Sequence, residues 1–167
     1  MKRVYLTLAM VGMVAVAALV HPVWAAPVGG DVEGQFNLGV SLLHKGKIDD
    51  AIATLQKVLK MKPDHANARI SLGAAYQQNG LLDQAVKEYW MAIFSQPNNA
   101  VARYNLAKVL ILKNKPDSAI TVFREAIRLN PGYADANVEM GKLFFTRGAV
   151  DSAVAAYRRA LKAKIDH

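Results

Sequence analysis

Pro63, Pro97 and Pro131 are evenly spaced along the chain, and other registers keep the same interval. Asp49, Asp83, Asp117 and Asp151 form one, and Ala51, Ala85, Ala119 and Ala153 form another. Gly39, Gly73 and Gly141 recur in step, with Ala107 in the remaining slot; Gly46, Gly80 and Gly148 do the same with Asn114. A chain written on one short period makes one structural unit again and again. Each unit is too small to bury its own apolar face, so it must stack on the next. The period divides the chain into units 32–65, 66–99, 100–133 and 134–167.

Within a unit the pattern is helical. Ala119, Ile120, Phe123, Ala126 and Ile127 follow the i, i+3, i+4, i+7, i+8 spacing of an amphipathic helix. Gly or Asn before each repeating Asp suits a left-handed residue that closes one helix. The repeating Asp is expected to cap the next helix, its carboxylate accepting free backbone N–H groups. Each repeating Pro falls where that second helix should stop. The spacing predicts helices near 33–45, 49–61, 67–79, 83–95, 101–113, 117–129, 135–147 and 151–164. The recurring Ala and Gly inside them mark places where two helices approach closely.

This pattern resembles the tetratricopeptide repeat. Unit two carries Leu72-Gly73 with Tyr76, then Ala85 with Tyr89, then Pro97. Unit one has Leu38-Gly39, Leu42, Ala51, Leu55 and Pro63, and unit three has Leu106-Ala107, Leu110, Ala119, Phe123 and Pro131. Unit four has Met140-Gly141, Phe144, Ala153 and Tyr157, with Ile165 in place of Pro. The family's early Trp is replaced by Gln35, Arg69, Arg103 and Asn137. The resemblance implies an all-α, right-handed superhelical solenoid of four tandem helix–turn–helix repeats. It also implies a protein or peptide partner in a concave groove lined by the first helix of each hairpin.

On that geometry the groove takes Phe36, Val40 and Leu43 from unit one, with Glu33 and His44 beside them, and Ile70 from unit two. Unit three supplies Tyr104, Lys108 and Ile111, flanked by Val101 and Leu112; unit four supplies Val138, Lys142 and Phe145. The surface is apolar, with Lys108 and Lys142 as isolated positive points, and suits a segment with apolar anchors and an acidic group. The clamp some family members use for acidic chaperone tails needs Lys and Asn at two first-helix positions. Phe36 and Val40, or Ile70 and Ala74, stand there instead.

A second surface lies on the outer face. Unit two places Trp90, Met91 and Phe94 where the other units place polar or charged residues such as Gln56, Lys57, Arg124 and Arg158. This patch is read as an anchor for a protein partner, as surface covered by the short arm 26–31, or as harmless exposure. The end of unit four has no following helix in the pattern. Ala153, Ala156, Tyr157 and Ala160 are therefore expected to be partly exposed, making homo-oligomers through repeat four an expectation.

Before the repeats, Lys2 and Arg3 precede the uncharged apolar run 4–20, and Val23 and Ala25 stand at −3 and −1 of a cut after Ala25. This is the three-part pattern of a secretory signal peptide over residues 1–25. The chain is expected to be exported, periplasmic or secreted. The rival is an uncleaved anchor, the one case in which a membrane enters, although the run falls short of the roughly 20 residues that span a bilayer.

With no cysteine, disulfide frameworks, thiolate metal sites and cysteine nucleophiles are excluded. The formal charge is +8, two units of it from Lys2 and Arg3. That favours acidic partners. Without aromatic and basic residues interleaved to stack bases, it does not point to nucleic acid. His44, His65 and His167 are scattered and read as surface or loop histidines. Asp49-Asp50 belongs to a structural register, and no nucleophile–base–orienter set is present. No enzyme activity, cofactor, metal or small-molecule substrate is expected. The leading expectation is an adaptor for envelope proteins; the alternative is a chaperone-like factor holding unfolded exported clients, such as a pilin, an outer-membrane protein or an apocytochrome.

Overall fold

The structure, a computed structural model, describes residues 31–165. The expected signal peptide 1–25 and nearly all of the expected arm 26–31 lie outside the described residues, as does His167. The described residues form eight helices: α1 (Val32–His44), α2 (Ile48–Met61), α3 (Ala66–Gln78), α4 (Leu82–Ser95), α5 (Ala100–Leu112), α6 (Pro116–Leu129), α7 (Ala134–Thr146) and α8 (Val150–Ile165). Each begins a residue earlier than the sequence predicts. Among them no helix is long and apolar enough to cross a membrane.

Helices pair as α1–α2, α3–α4, α5–α6 and α7–α8, and each second helix then packs on the first helix of the next pair. First helices also approach one another, α1 to α3 and α3 to α5, so they form one continuous face of the stack. Small residues let the paired helices close up. A Cβ on Gly73 would sit 2.7 Å from the Tyr89 ring, and one on Gly141 would sit 2.7 Å from Tyr157. The hairpin turns use left-handed backbone at Gly46, Gly80 and Gly148, with φ near +73°, and at Asn114 with φ 56°.

The helix caps are not where the sequence reading put them. Asp49, Asp83, Asp117 and Asp151 sit inside the first turn, because the helices begin at Ile48, Leu82, Pro116 and Val150. The residues at the N-caps of α2, α4 and α6, which are Lys47, Leu81 and Lys115, make no side-chain cap bond. The caps instead stand ahead of the first helices. Asp31, His65 and Asn99, again one repeat apart, accept from the backbone N–H of Gly34, Ala68 and Ala102. Tyr133 occupies the fourth such position and caps nothing.

The repeating carboxylates have another job. Asp49 accepts from Asn79, Asp83 pairs with Lys113 and Asp117 with Arg147, each in the following hairpin. They tie the start of every second helix to the end of the following hairpin's first helix. The core is a chain of junctions of the same kind. Leu55 and Val58 meet Ala68 and Leu72; Tyr89 and Ile93 meet Leu106 and Val109; Ile120 and Phe123 meet Met140 and Leu143. Burying each of these larger side chains contributes about 1.5–3 kcal/mol.

Candidate protein-binding faces

The face formed by the first helices is best furnished where α5 meets the connection that opens α7. Tyr104 is half-buried, its ring centroid 4.9 Å from that of Tyr133 and 5.8 Å from that of Phe123. The Lys108 ammonium lies 5.5 Å from the Tyr104 centroid, within cation–π range. Lys142 is bonded to Glu139 at 2.8 Å, which holds the ammonium above the ordinary lysine range. Burial, followed by the charges of Glu139 and Asp135, pushes the Tyr104 phenol up. Burial, then Tyr104 and Asp135, pushes Tyr133 up to about 12. Both phenols therefore keep their protons at neutral pH and can donate to a carbonyl or carboxylate.

Of the predicted groove residues, Phe36, Val40, Ile70 and Val138 lie half-buried on first helices. Phe36 leans on the His65 ring, 5.0 Å away. His65 stands in the α2–α3 loop, one of its two expected placements, but as a buried cap and not at the surface. Its Nδ1 accepts from Ala68, which leaves Nε2 to donate to Glu33 at 3.3 Å. Lys142 is not an isolated positive point, since Glu139 neutralises it.

One register was misjudged. Leu43 is buried with Ala51 of α2 and Ala75 of α3, and Ile111 packs against the cluster that joins α6 to α7. Side chains of this register point at the next first helix, so Leu43 offers a partner little. Phe145 shares the register in the last unit, where no first helix follows in the described residues, and is 64% exposed.

Sequence reasoning overlooked Tyr133 and Glu139. Tyr133 was legible as a residue that cannot cap in a cap register. Glu139 became visible only once the spacing of α5 and α7 was known.

The outer face carries Trp90, Met91 and Phe94 on α4, all exposed, with Trp90 at 54% and Phe94 at 83%. No described residue covers them. Exposed Lys57, Lys60 and Lys87 on one side and Arg124 and Arg128 on the other occupy the neighbouring helical positions. Among the described residues no group of three or more His, Asp or Glu could hold a metal ion.

No curated protein matches the chain in sequence. A crystal structure of MamA aligns with a TM-score of 0.75 at 27% identity, covering 81% of this chain and 80% of that one. A MamA chain from Desulfovibrio magneticus RS-1 aligns at 0.72 with 20% identity, over 82% of this chain and 77% of that one. YrrB, described as a TPR protein with an unusual peptide-binding site, aligns at 0.67 with 21% identity, over 82% and 71%. The last two speak for the fold alone. Tetratricopeptide repeat models match residues 42–89, 78–134 and 104–167. With that coverage, and hairpins that repeat cap, turn and close-packed glycine at one interval, the chain belongs to the tetratricopeptide repeat family.

Proposed function

We propose that this chain is an exported scaffold that holds a segment of another envelope protein on its first-helix face, around Tyr104. The observation that carries the reading is the half-exposed Tyr104–Tyr133 pair, with Lys108 over one ring and the Glu139–Lys142 pair beside it. A helical stack needs no aromatic pair on this face. Two protonated phenols and Lys108 suit a segment that brings backbone carbonyls and a carboxylate. Val101 and Leu112 on α5, both exposed, and Val138 on α7 supply apolar anchoring beside them. The outer patch Trp90, Met91 and Phe94 is a second contact in this reading. Export rests on the leader pattern of residues 1–25.

A photoreactive residue at position 104, installed in the exporting cell, tests the proposal. Crosslinking to one folded envelope protein, lost when Lys108→Glu is added, is the expected result. Many unfolded clients would favour the client-holding alternative. No crosslink at 104 while one forms at 90 or 94 would move the site to the outer face.

A further inference from the structure

The two ends of the stack expose surfaces whose register equivalents are buried against each other inside it. Inside the stack, Ile120 and Phe123 of α6 are buried against Ala136, Met140 and Leu143 of α7. Likewise Tyr89 and Ile93 of α4 are buried against Ala102, Leu106 and Val109 of α5. Helix α8 has the same stripe. Val154, Tyr157 and Leu161 stand one full repeat beyond Ile120, Phe123 and Ile127, yet all three are exposed, Leu161 at 62%. Phe145 and Val150 extend the uncovered surface. Ala153, Ala156 and Ala160, expected to be exposed, are buried, because they face α7 and not the open end.

The opposite end has the complementary half. Gly34, Leu38 and Ser41 of α1 occupy the register of Ala68, Leu72 and Ala75, a large aliphatic between two small residues. Leu38 is 48% exposed, whereas Leu72, Leu106 and Met140 in its register are buried. Charge follows the same logic. Asp49, Asp83 and Asp117 each reach a side chain at the matching place in the next hairpin, at Asn79, Lys113 and Arg147. Asp151 is the next in that series. On a second copy stacked in register, the residue it meets is Lys45. Both are exposed, and neither is paired among the described residues.

We propose that copies of this chain stack head to tail, α1 of one copy lying on α8 of the next. Leu38 seats on Val154, Tyr157 and Leu161, and Lys45 pairs with Asp151. The contact is heterologous, so it extends into open chains or a ring instead of closing as a two-fold dimer. A tail-to-tail dimer would cover α8 but leave Leu38 exposed and Lys45 without its acid. Stacking leaves the first-helix face open, so this inference goes beyond the groove reading and stands or falls without it.

Sedimentation velocity and light scattering of the purified protein, with no partner added, test the proposal. The mass should climb steadily with concentration. Leu38→Glu and Leu161→Glu should each raise the concentration needed for association by about tenfold or more. Both positions are exposed, and circular dichroism should show that each variant folds. Mixing the two variants should yield a heterodimer and nothing larger, since each supplies one intact end. Asp151→Lys should weaken assembly, and adding Lys45→Asp should restore it. A monomer at every concentration would overturn the proposal, as would a dimer indifferent to Leu38→Glu.

Discussion

Repeats two and four share their register residues, Gly73 with Gly141, Ala85 with Ala153 and Tyr89 with Tyr157, and live in different surroundings. Tyr89 and Tyr157 hold one register, each against a glycine of its own hairpin, Gly73 and Gly141. Yet Tyr89 is fully buried and Tyr157 is 38% exposed. In repeat two, Arg69 and Glu88 form a largely buried pair at 2.8 Å, with Arg69 also donating to the Pro63 carbonyl. Repeat four has Asn137 and Ala156 in those positions, and the buried Asn137 Oδ1 accepts from no described group. Asp83 is paired with Lys113, while Asp151 makes no ion pair among the described residues. The same register residue is thus covered in an interior unit and open in a terminal one, because a solenoid repeat buries part of its apolar surface against its neighbour.

The largest expected break in this contrast is Tyr89→Ala, which should cost about 3–5 kcal/mol by urea denaturation, against about 1–2 kcal/mol for the partly exposed Tyr157→Ala. Equal losses would mean that the last repeat is covered in the monomer. Next is Glu88→Ala, which leaves the Arg69 guanidinium largely buried without its carboxylate. It should cost about 2–3 kcal/mol, and adding Arg69→Met should recover most of it. The counterpart Asn137→Leu removes an unsatisfied carbonyl and should be neutral or stabilising by up to about 1 kcal/mol.

Gly73→Ala sharpens the comparison at smaller scale. Its new methyl meets the immobile Tyr89 ring, and after the gain in helix propensity the net loss should be about 1–2 kcal/mol. Gly141→Ala should cost less, because Tyr157 can swing outward. The smallest effect belongs to Asp83. The hydrogen bond and charge of Lys113 hold its carboxyl below the ordinary 3.8. A carboxyl depressed on folding stabilises in full above that ordinary value, and the contribution is lost as pH falls through the lower folded one. Asp83→Asn should therefore flatten the acid limb of the stability profile slightly, and strong salt should mask the difference.

Much of the fold was legible from residue identity. Gly46 and Asn114 announce left-handed turns, Pro97 announces a helix stop, and Gly73 announces a close crossing, because each of these chemistries fits only a few backbone states. The repeating aspartates were misread as caps for an instructive reason. An Asp near a helix start serves equally well one residue further in, and only the neighbouring hairpin shows that it reaches Asn79, Lys113 or Arg147. His65 looked like a surface residue for the same reason: nothing local says that Glu33 and Phe36 of the preceding hairpin enclose it.

The candidate site divides along the same line. Phe36, Ile70, Tyr104 and Val138 were assigned to the first-helix face by the geometry the family resemblance implies, and the outer patch around Trp90 by comparing registers between units. Which of the assigned residues remain available depended on the stack. Leu43 is consumed by packing, Lys142 is neutralised by Glu139, and Tyr133 joins Tyr104 across a loop.

Period, turn residues and helix stops were determined by the sequence, because they follow from the conformational preferences of single residues and their nearest neighbours. Pairing between hairpins, and the mismatch between covered and uncovered ends, were decided by tertiary structure. They depend on distances between side chains of successive hairpins, which no local preference encodes.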